Sequence, residues 1–428
     1  MGSYNNNKTN KSILNPRNCI EENYDRNITR REFFKNLARA GLLFAGSFLF
    51  TSGSFKQKKP GSVERPGRQA QLPPVNIGYI PITDATPLLI AHAKGFYEQE
   101  GLQAGRPFLI RGWSSLAEAF MAGRFNLCHF LSPIPIYMRY QLGFPVKVVA
   151  WNHMNNSAIT VAKQGPIKSE MGLGGKKIAV PYWYSIHNVI IQLVLRYYQI
   201  EPQLSIKKVD SDKCGLVVMA PPDMPAALAA GEIDGYIVAE PFNAAGELLA
   251  GGRILRFSGD VWKNHACCVA VMNENIIQNH PEWAQKVVNA LVHAELWAKN
   301  NIEETAYILS RQGEGYLPFE ERIIRHAMTS YGQQKYPRAI KHPGWESKRL
   351  SFQPYQYKSY TYKLVQLLKN TRLEGNTGFL KNLDPDKVGE ELMDYDMVLA
   401  AVKKATGLAK FDGVSSEHPF SRKEVIEV

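Results

Sequence analysis

Val75-Asn76-Ile77-Gly78-Tyr79-Ile80, then Thr83-Asp84-Ala85-Thr86-Pro87, then the run from Leu88 to Glu100, is the stretch that decides the fold. The first six residues alternate with period two and predict a strand. The next five are polar punctuation. Leu88, Leu89, Ala91, Ala93 and Phe96 recur at helical spacing, and Gly101 stands where a helix-ending glycine belongs. The same unit then repeats. Strands are expected near 107–110, 125–128, 146–151 and 158–162, with helices over 114–121 and 135–142. After Gly165-Pro166 the pattern starts again with Lys176-Lys177-Ile178-Ala179-Val180-Pro181. A long helix over 187–198, a strand at 216–218, a helix over 224–230 and a strand over 233–238 follow, with an interruption near Gly251-Gly252. This rhythm predicts an α/β protein of doubly wound layers with mostly parallel sheets. The restart predicts two similar lobes, the second inserted into the first: residues 75–162 plus 256–428 form lobe 1 and residues 163–255 form lobe 2. Residues 280–428 read as a mainly helical extension, with helices over 281–300, 302–310, 319–330, 360–370 and 385–406.

Composition narrows the function classes. The chain has 428 residues, 45% hydrophobic and 21% charged, which excludes a disordered, collagenous or coiled-coil protein. No apolar run approaches the roughly 20 residues of a membrane span. The net charge of +12 is concentrated: residues 1–60 carry eleven Lys/Arg against four Asp/Glu, a surplus of +7, which leaves +5 for the rest. So mild a surplus reads as a solvated surface, and no nucleic acid partner is expected. Of five cysteines, Cys19 lies in the N-terminal segment. Cys128, Cys214, Cys267 and Cys268 show no paired metal-ligand spacing and no disulfide framework.

Residues 1–60 read as an address. Thr29-Arg30-Arg31-Glu32-Phe33-Phe34-Lys35 resembles a twin-arginine export signal, and the 13 residues from Ala38 to Phe50 suit a signal's apolar core. A basic amphipathic helix of a cytosolic protein is the other reading. Export predicts a periplasmic protein, anchored if the signal stays uncleaved.

Four stretches in order resemble the substrate-binding proteins of ABC importers, specifically the nitrate/bicarbonate/sulfonate/taurine group. They are 77–88 with Ala93-Lys94-Gly95-Phe96-Tyr97; 116–126 (Leu-Ala-Glu-Ala-Phe-Met-Ala-Gly-Arg-Phe-Asn); 221–242, ending Val238-Ala239-Glu240-Pro241-Phe242; and Phe352-Gln353-Pro354-Tyr355 with Glu374-Gly375-Asn376-Thr377-Gly378-Phe379-Leu380. The likeness covers about 75–400. It implies the two-lobed periplasmic-binding-protein fold of type II and a ligand held between lobes that close on it. It also implies delivery of an unchanged small solute to an ABC permease and ATPase, by a monomer that needs no cofactor.

The resemblance also implies where the ligand sits. Asp84 follows the first strand, where it is placed to meet the ligand or to cap the next helix. Asp223 invites the capping reading. Trp113 stands at a loop-to-helix junction, placed to stack on a planar ligand or to pack in the core. Ser157 stands where the nitrate-binding branch carries Gln. Tyr182 and Trp183 replace glycines of the family's loop, and His187 opens the following helix, as an oxyanion donor or a cap. Glu240 faces the cleft or braces the hinge. Cys268 stands where that branch has the lysine that meets the anion, so the pocket loses a fixed cation unless Lys263 supplies it. A more aromatic, less basic pocket favours a larger, less charged or even cationic ligand.

The motifs of P-loop, zincin and nucleophile-elbow enzymes are missing from the sequence, so no catalysis and no metal are expected. The competing reading is an enzyme like the fungal pyrimidine synthase of thiamin biosynthesis, which resembles these binding proteins. For it, Cys267, Cys268, His265 and His187 would form a soft-metal or redox site.

Overall fold

A computed structural model describes residues 72–342, 349–405, 411 and 422–428. The export signal expected over residues 1–60 lies outside them.

The chain lays down β1 (Ile77–Tyr79), β2 (Phe108–Leu109), β3 (Leu127–Leu131) and β4 (Val146–Trp151), then a two-residue β5 (Met154–Asn155). It continues with β6 (Ser157–Ala162), β7 (Lys176–Val180), β8 (Glu201–Gln203), β9 (Lys213–Val218), β10 (Gly235–Ala239) and β11 (Gly252–Phe257), and returns with β12 (Cys268–Asn273). β13 (Leu350–Ser351) pairs with β5. One sheet has the order β2-β1-β3-β12-β4, the other β11-β6-β10-β7-β9-β8. In the first, β1 runs parallel to β2 and β3, and β12 enters antiparallel to β3 and β4. In the second, β10, β7, β9 and β8 are parallel, with β6 antiparallel to both β10 and β11. Antiparallel strands that return from the other half are how two α/β layers exchange chain, and here the chain crosses at 152–156 and again at 258–267.

Several expectations change. β6, expected in the first lobe, is a central strand of the second sheet. Both its faces are buried, so its sequence carries no alternation that would assign it to one sheet. β11 belongs with it to Phe257. The helix expected over 88–100 is two pieces, Thr86–Ala93 and Phe96–Gln99, because Gly95 takes the left-handed conformation at φ 67°. The helix expected over 385–406 divides into Pro385–Leu392 and Tyr395–Ala405. β5, β8, β11, β12 and β13 went unpredicted. No helix of the described residues is long and apolar enough to cross a membrane.

The C-terminal helix Lys358–Lys369 docks where the chain crosses. Its Tyr360 sits between Trp151 and Trp262, with ring centroids 4.9 Å from each. All three side chains are buried, and rings like these cost about 3–5 kcal/mol when truncated to alanine. The Tyr360 hydroxyl donates to the Ala266 carbonyl at 2.7 Å and meets Ser132 Oγ at 2.7 Å. The backbone leading into Cys267 and Cys268 is thereby held from the C-terminal side.

In the second layer, the helix Phe242–Leu249 lies so close to β10 that a Cβ on Gly246 would fall 2.1 Å from the Tyr236 hydroxyl. That hydroxyl is fixed by donating to the Phe242 carbonyl at 2.9 Å. Gly246→Ala is therefore predicted to destabilise by about 1–3 kcal/mol. Adding Tyr236→Phe, which removes the clashing oxygen, should recover part of the loss. Urea denaturation of the two single variants and the double variant measures the coupling; additive losses would refute the close approach.

Candidate functional site

Thr83 and Asp84 sit on a short 3-10 turn at the C-terminal end of β1. Thr83 ties the two layers together: its N–H and its hydroxyl both donate to the Glu240 carbonyl, at 2.9 and 3.1 Å. Asp84 is fully buried and caps nothing; the next helix has no side-chain cap. Its carboxylate turns to the first crossing. Asn156 Nδ2 donates to Asp84 Oδ2 at 2.7 Å and to Thr83 Oγ1 at 2.7 Å. Asn155 and Asn156 both adopt positive φ, 63° and 65°, a conformation asparagine tolerates better than most residues. His153 Nε2 lies 2.9 Å from Asp84 Oδ1 as a buried ion pair, and the Cys267 and Cys268 thiols also act on the carboxylate.

The second crossing delivers Cys267 and Cys268, both buried free thiols. One ligand atom from each of Asp84, His153, Cys267 and Cys268 lies within 4.8 Å of all the others. Ser157, opening β6, extends the cluster: its Oγ is 2.8 Å from His187 Nε2 and 3.5 Å from Cys267 Sγ. His187 reaches it because Ser185, not His187, caps the helix Ile186–Tyr197 by accepting from Asn188 N–H at 3.0 Å. The imidazole is left to point inward, and its Nδ1 has no hydrogen-bond partner among the described residues.

Of the expected site residues, Asp84, Ser157, His187 and Cys268 come together. Trp113 packs in the core against His129, centroids 5.6 Å apart, and its buried indole N–H has no partner among the described residues. Tyr182 is half-buried. Trp183 does not enter the cluster; its indole N–H donates to Glu374 Oε2 at 2.7 Å. Glu240 braces the crossing: its carboxylate accepts from Arg349 Nε at 2.8 Å and Ala244 N–H at 3.0 Å. Asp223 caps nothing and pairs with Arg111 at 3.0 Å on the exposed rim. His153, Asn156 and Cys267 were not among the expected site residues. His153 was findable as a polar side chain just past a predicted strand end, the place where α/β sheets put ligands. Asn156 was in view only as a neighbour of Ser157, and Cys267 only in the competing soft-metal reading.

Burial raises the Asp84 pKa, but His153, joined by the Cys268 and Cys267 thiols, overrides it and holds the carboxyl at about 2. The group is thus a buried anion at neutral pH. A second anion 4 Å away would cost about 4 kcal/mol at an effective dielectric constant near 20. The His153 imidazole 2.9 Å from that carboxylate offsets its charge when protonated. Desolvation pulls three nearby or neighbouring imidazoles down: His187 and His129 to about 4, His265 to about 3. His129 Nε2 accepts from Ile80 N–H at 3.0 Å, and His265 Nε2 meets Ser258 Oγ at 2.9 Å.

Two open α/β layers, exchanging strands and enclosing a polar cluster beyond the C-terminal ends of β1, β4 and β10, define a periplasmic-binding-protein fold. The solved nitrate-binding protein NrtA of Synechocystis PCC 6803 superposes with a TM-score of 0.64 at 20% identity, covering 81% of this chain and 96% of that one. The ligand-binding component of an ABC-type import system from Staphylococcus aureus, solved with zinc bound, gives 0.61 at 20%, covering 76% and 98%. At such identities the likeness establishes the fold. A model of the NMT1-like family matches residues 68–310, and the chain belongs to that family. The nitrate/nitrite binding protein NrtA of a Nostoc species is 27% identical over 255 residues, 55% of this chain. The chain spans 56% of that relative's length.

The buried imidazoles set a pH dependence. An unfolded imidazole titrates near 6.5, while these three titrate near 4, 4 and 3. Between those values only the unfolded chain gains the protons. Stability is complete above pH 6.5 and falls as pH drops toward 4, by at most about 1.4 kcal/mol per pH unit for each imidazole. The urea midpoint should drop clearly between pH 7 and pH 5, and His187→Asn should flatten the dependence. A midpoint unchanged over that interval would contradict the neutral, buried state of these rings.

Proposed function

We propose that the chain is the extracytoplasmic substrate-binding component of an ABC importer, capturing one small solute between two lobes and handing it unchanged to a permease and ATPase. The observation that carries this is the buried cluster of Asp84, Asn156, Ser157, His187 and Cys268, assembled from both layers beyond strand C-termini. Family membership and the nitrate/nitrite-binding relative support it. In this reading residues 1–60 are a twin-arginine-type export address, the protein works in the periplasm as a monomer, and the lobes hinge at 152–156 and 258–267. Every member of the cluster is buried, so the described conformation corresponds to a closed state, and loading requires opening.

Solute chemistry is the finer question. Nitrate, nitrite, bicarbonate, cyanate and sulfonates fit the relatives. The buried Asp84 charge and the cysteine at 268 favour a neutral or cationic partner. A thermal-shift screen of the purified full chain, run with EDTA to exclude divalent metals, covers both sets together with taurine, guanidine-like cations and pyrimidines. A true solute at 100 times its Kd should add about 2.7 kcal/mol of stability. Asp84→Asn should abolish or invert the preference among charged solutes. A protein that responds to none of the panel, or that converts a member to product, is not a carrier of this kind.

A further inference from the structure

We propose that Asp84, His153, Cys267 and Cys268 form a binding site for one thiophilic divalent cation of the zinc type. The inference goes beyond the transport reading and does not depend on it, because it stands on four ligand atoms whether the cation is carried or kept.

The donor set is two thiols, an imidazole and a carboxylate. This mixture of soft and borderline ligands selects zinc-like ions over Mg2+ or Ca2+, which require oxygen shells. Four donors around Zn2+ at its usual bond lengths lie about 3.3–3.8 Å from one another. The four atoms here all lie within 4.8 Å of one another, close enough for side-chain adjustment to complete a tetrahedron. They come from three separate segments, the turn after β1, the first crossing and the start of β12, so a cation would cross-link the crossing points of the two layers.

Two further observations point to a ligand. Asp84 Oδ1 and His153 Nε2 face each other at 2.9 Å. The pair is wholly out of water, and a metal held between the two would take both as ligands at once. The outer partners of a metal site are also in place. Asn156 holds the other carboxylate oxygen at 2.7 Å, His153 Nδ1 lies 3.4 Å from the Met154 carbonyl, and Ser157 Oγ lies 3.5 Å from Cys267 Sγ. Such contacts orient ligands, and losing one commonly weakens metal binding 10–100-fold.

The test uses the full chain, purified reduced and metal-free. Zn2+ is titrated against a chromophoric chelator, and Co2+ is followed by visible spectroscopy. The expected result is one equivalent of Zn2+ per chain and a Co2+ complex with the strong visible bands of a tetrahedral site plus thiolate charge transfer. Cys267→Ser and Cys268→Ser should each weaken Zn2+ about 10-fold or more and diminish the charge-transfer band. The pair Cys128→Ser/Cys214→Ser should leave both readouts unchanged. In case a variant fails to fold, the unsubstituted protein gives a second measurement: Zn2+ should shield Cys267 and Cys268, and not Cys128 or Cys214, from alkylation mapped by mass spectrometry. Absence of binding overturns the proposal, as does a Co2+ spectrum without thiolate charge transfer, or shielding of other cysteines only. Because the solute screen is run in EDTA, failure here leaves its outcome untouched, and the converse also holds.

Discussion

The structure turns on one buried negative charge. Asp84 is out of water at the end of β1, where an unaccompanied carboxylate would be too costly to keep ionised. Its company comes from both places where the chain passes between the layers: His153 and Asn156 at the first, Cys267 and Cys268 at the second. The neighbouring Thr83 reaches across to the Glu240 carbonyl, and the Glu240 carboxylate is in turn neutralised by the buried Arg349. The layers are thus joined by a chain of charges and dipoles, not by apolar contact alone. Removing any member leaves a neighbour buried and unmatched.

The same cluster bears on the oxyanion chemistry that the resemblance implies. A lysine in the pocket would stabilise both Asp84 and an incoming anion. Here burial pushes the Asp84 pKa up, an imidazole and two thiols hold it at about 2, and these are also the donors that a soft cation prefers.

Much of the architecture was legible because strand and helix periods are local. β1, β4, β7, β10 and the helix after β7 fall where alternation, helical spacing and flanking Gly or Pro place them. What was not legible depends on pairing. β6 is buried on both faces, so the sequence shows a strand without showing which sheet owns it, and it lies in the six-stranded sheet, not with β1 to β4 where it was expected. The site followed the same division. Asp84, Ser157, His187 and Cys268 were visible because each sits in a motif at a strand end or helix start. Trp183 and Glu240 looked equally well placed, but Glu374 and Arg349, nearly 200 and about 110 residues later, occupy them. No local pattern reports a partner at that separation.

Those distant partners also bear on how the cleft opens. Besides Glu374 and Arg349, the Arg372 carbonyl accepts from Gln192 Nε2 at 2.9 Å and Asn188 Nδ2 at 3.3 Å, so the C-terminal segment grips the helix that carries His187. Each neutral hydrogen bond of this kind is worth roughly 1 kcal/mol net, and the buried Glu240–Arg349 pair costs several kcal/mol if it is split without compensation. A two-lobed binder normally rests open and is closed by its ligand. Here the tail adds contacts of its own to the helix that carries His187. If the lobes part at all, Glu240 and Arg349 move as one body, or the tail detaches from the helix Ile186–Tyr197 while the ion pair stays intact. The second route keeps the buried ion pair intact but gives up the hydrogen bonds of the buried Asn188 and Gln192, the one from Trp183 and the exposed Arg372–Glu201 pair, the last of which is worth little in water.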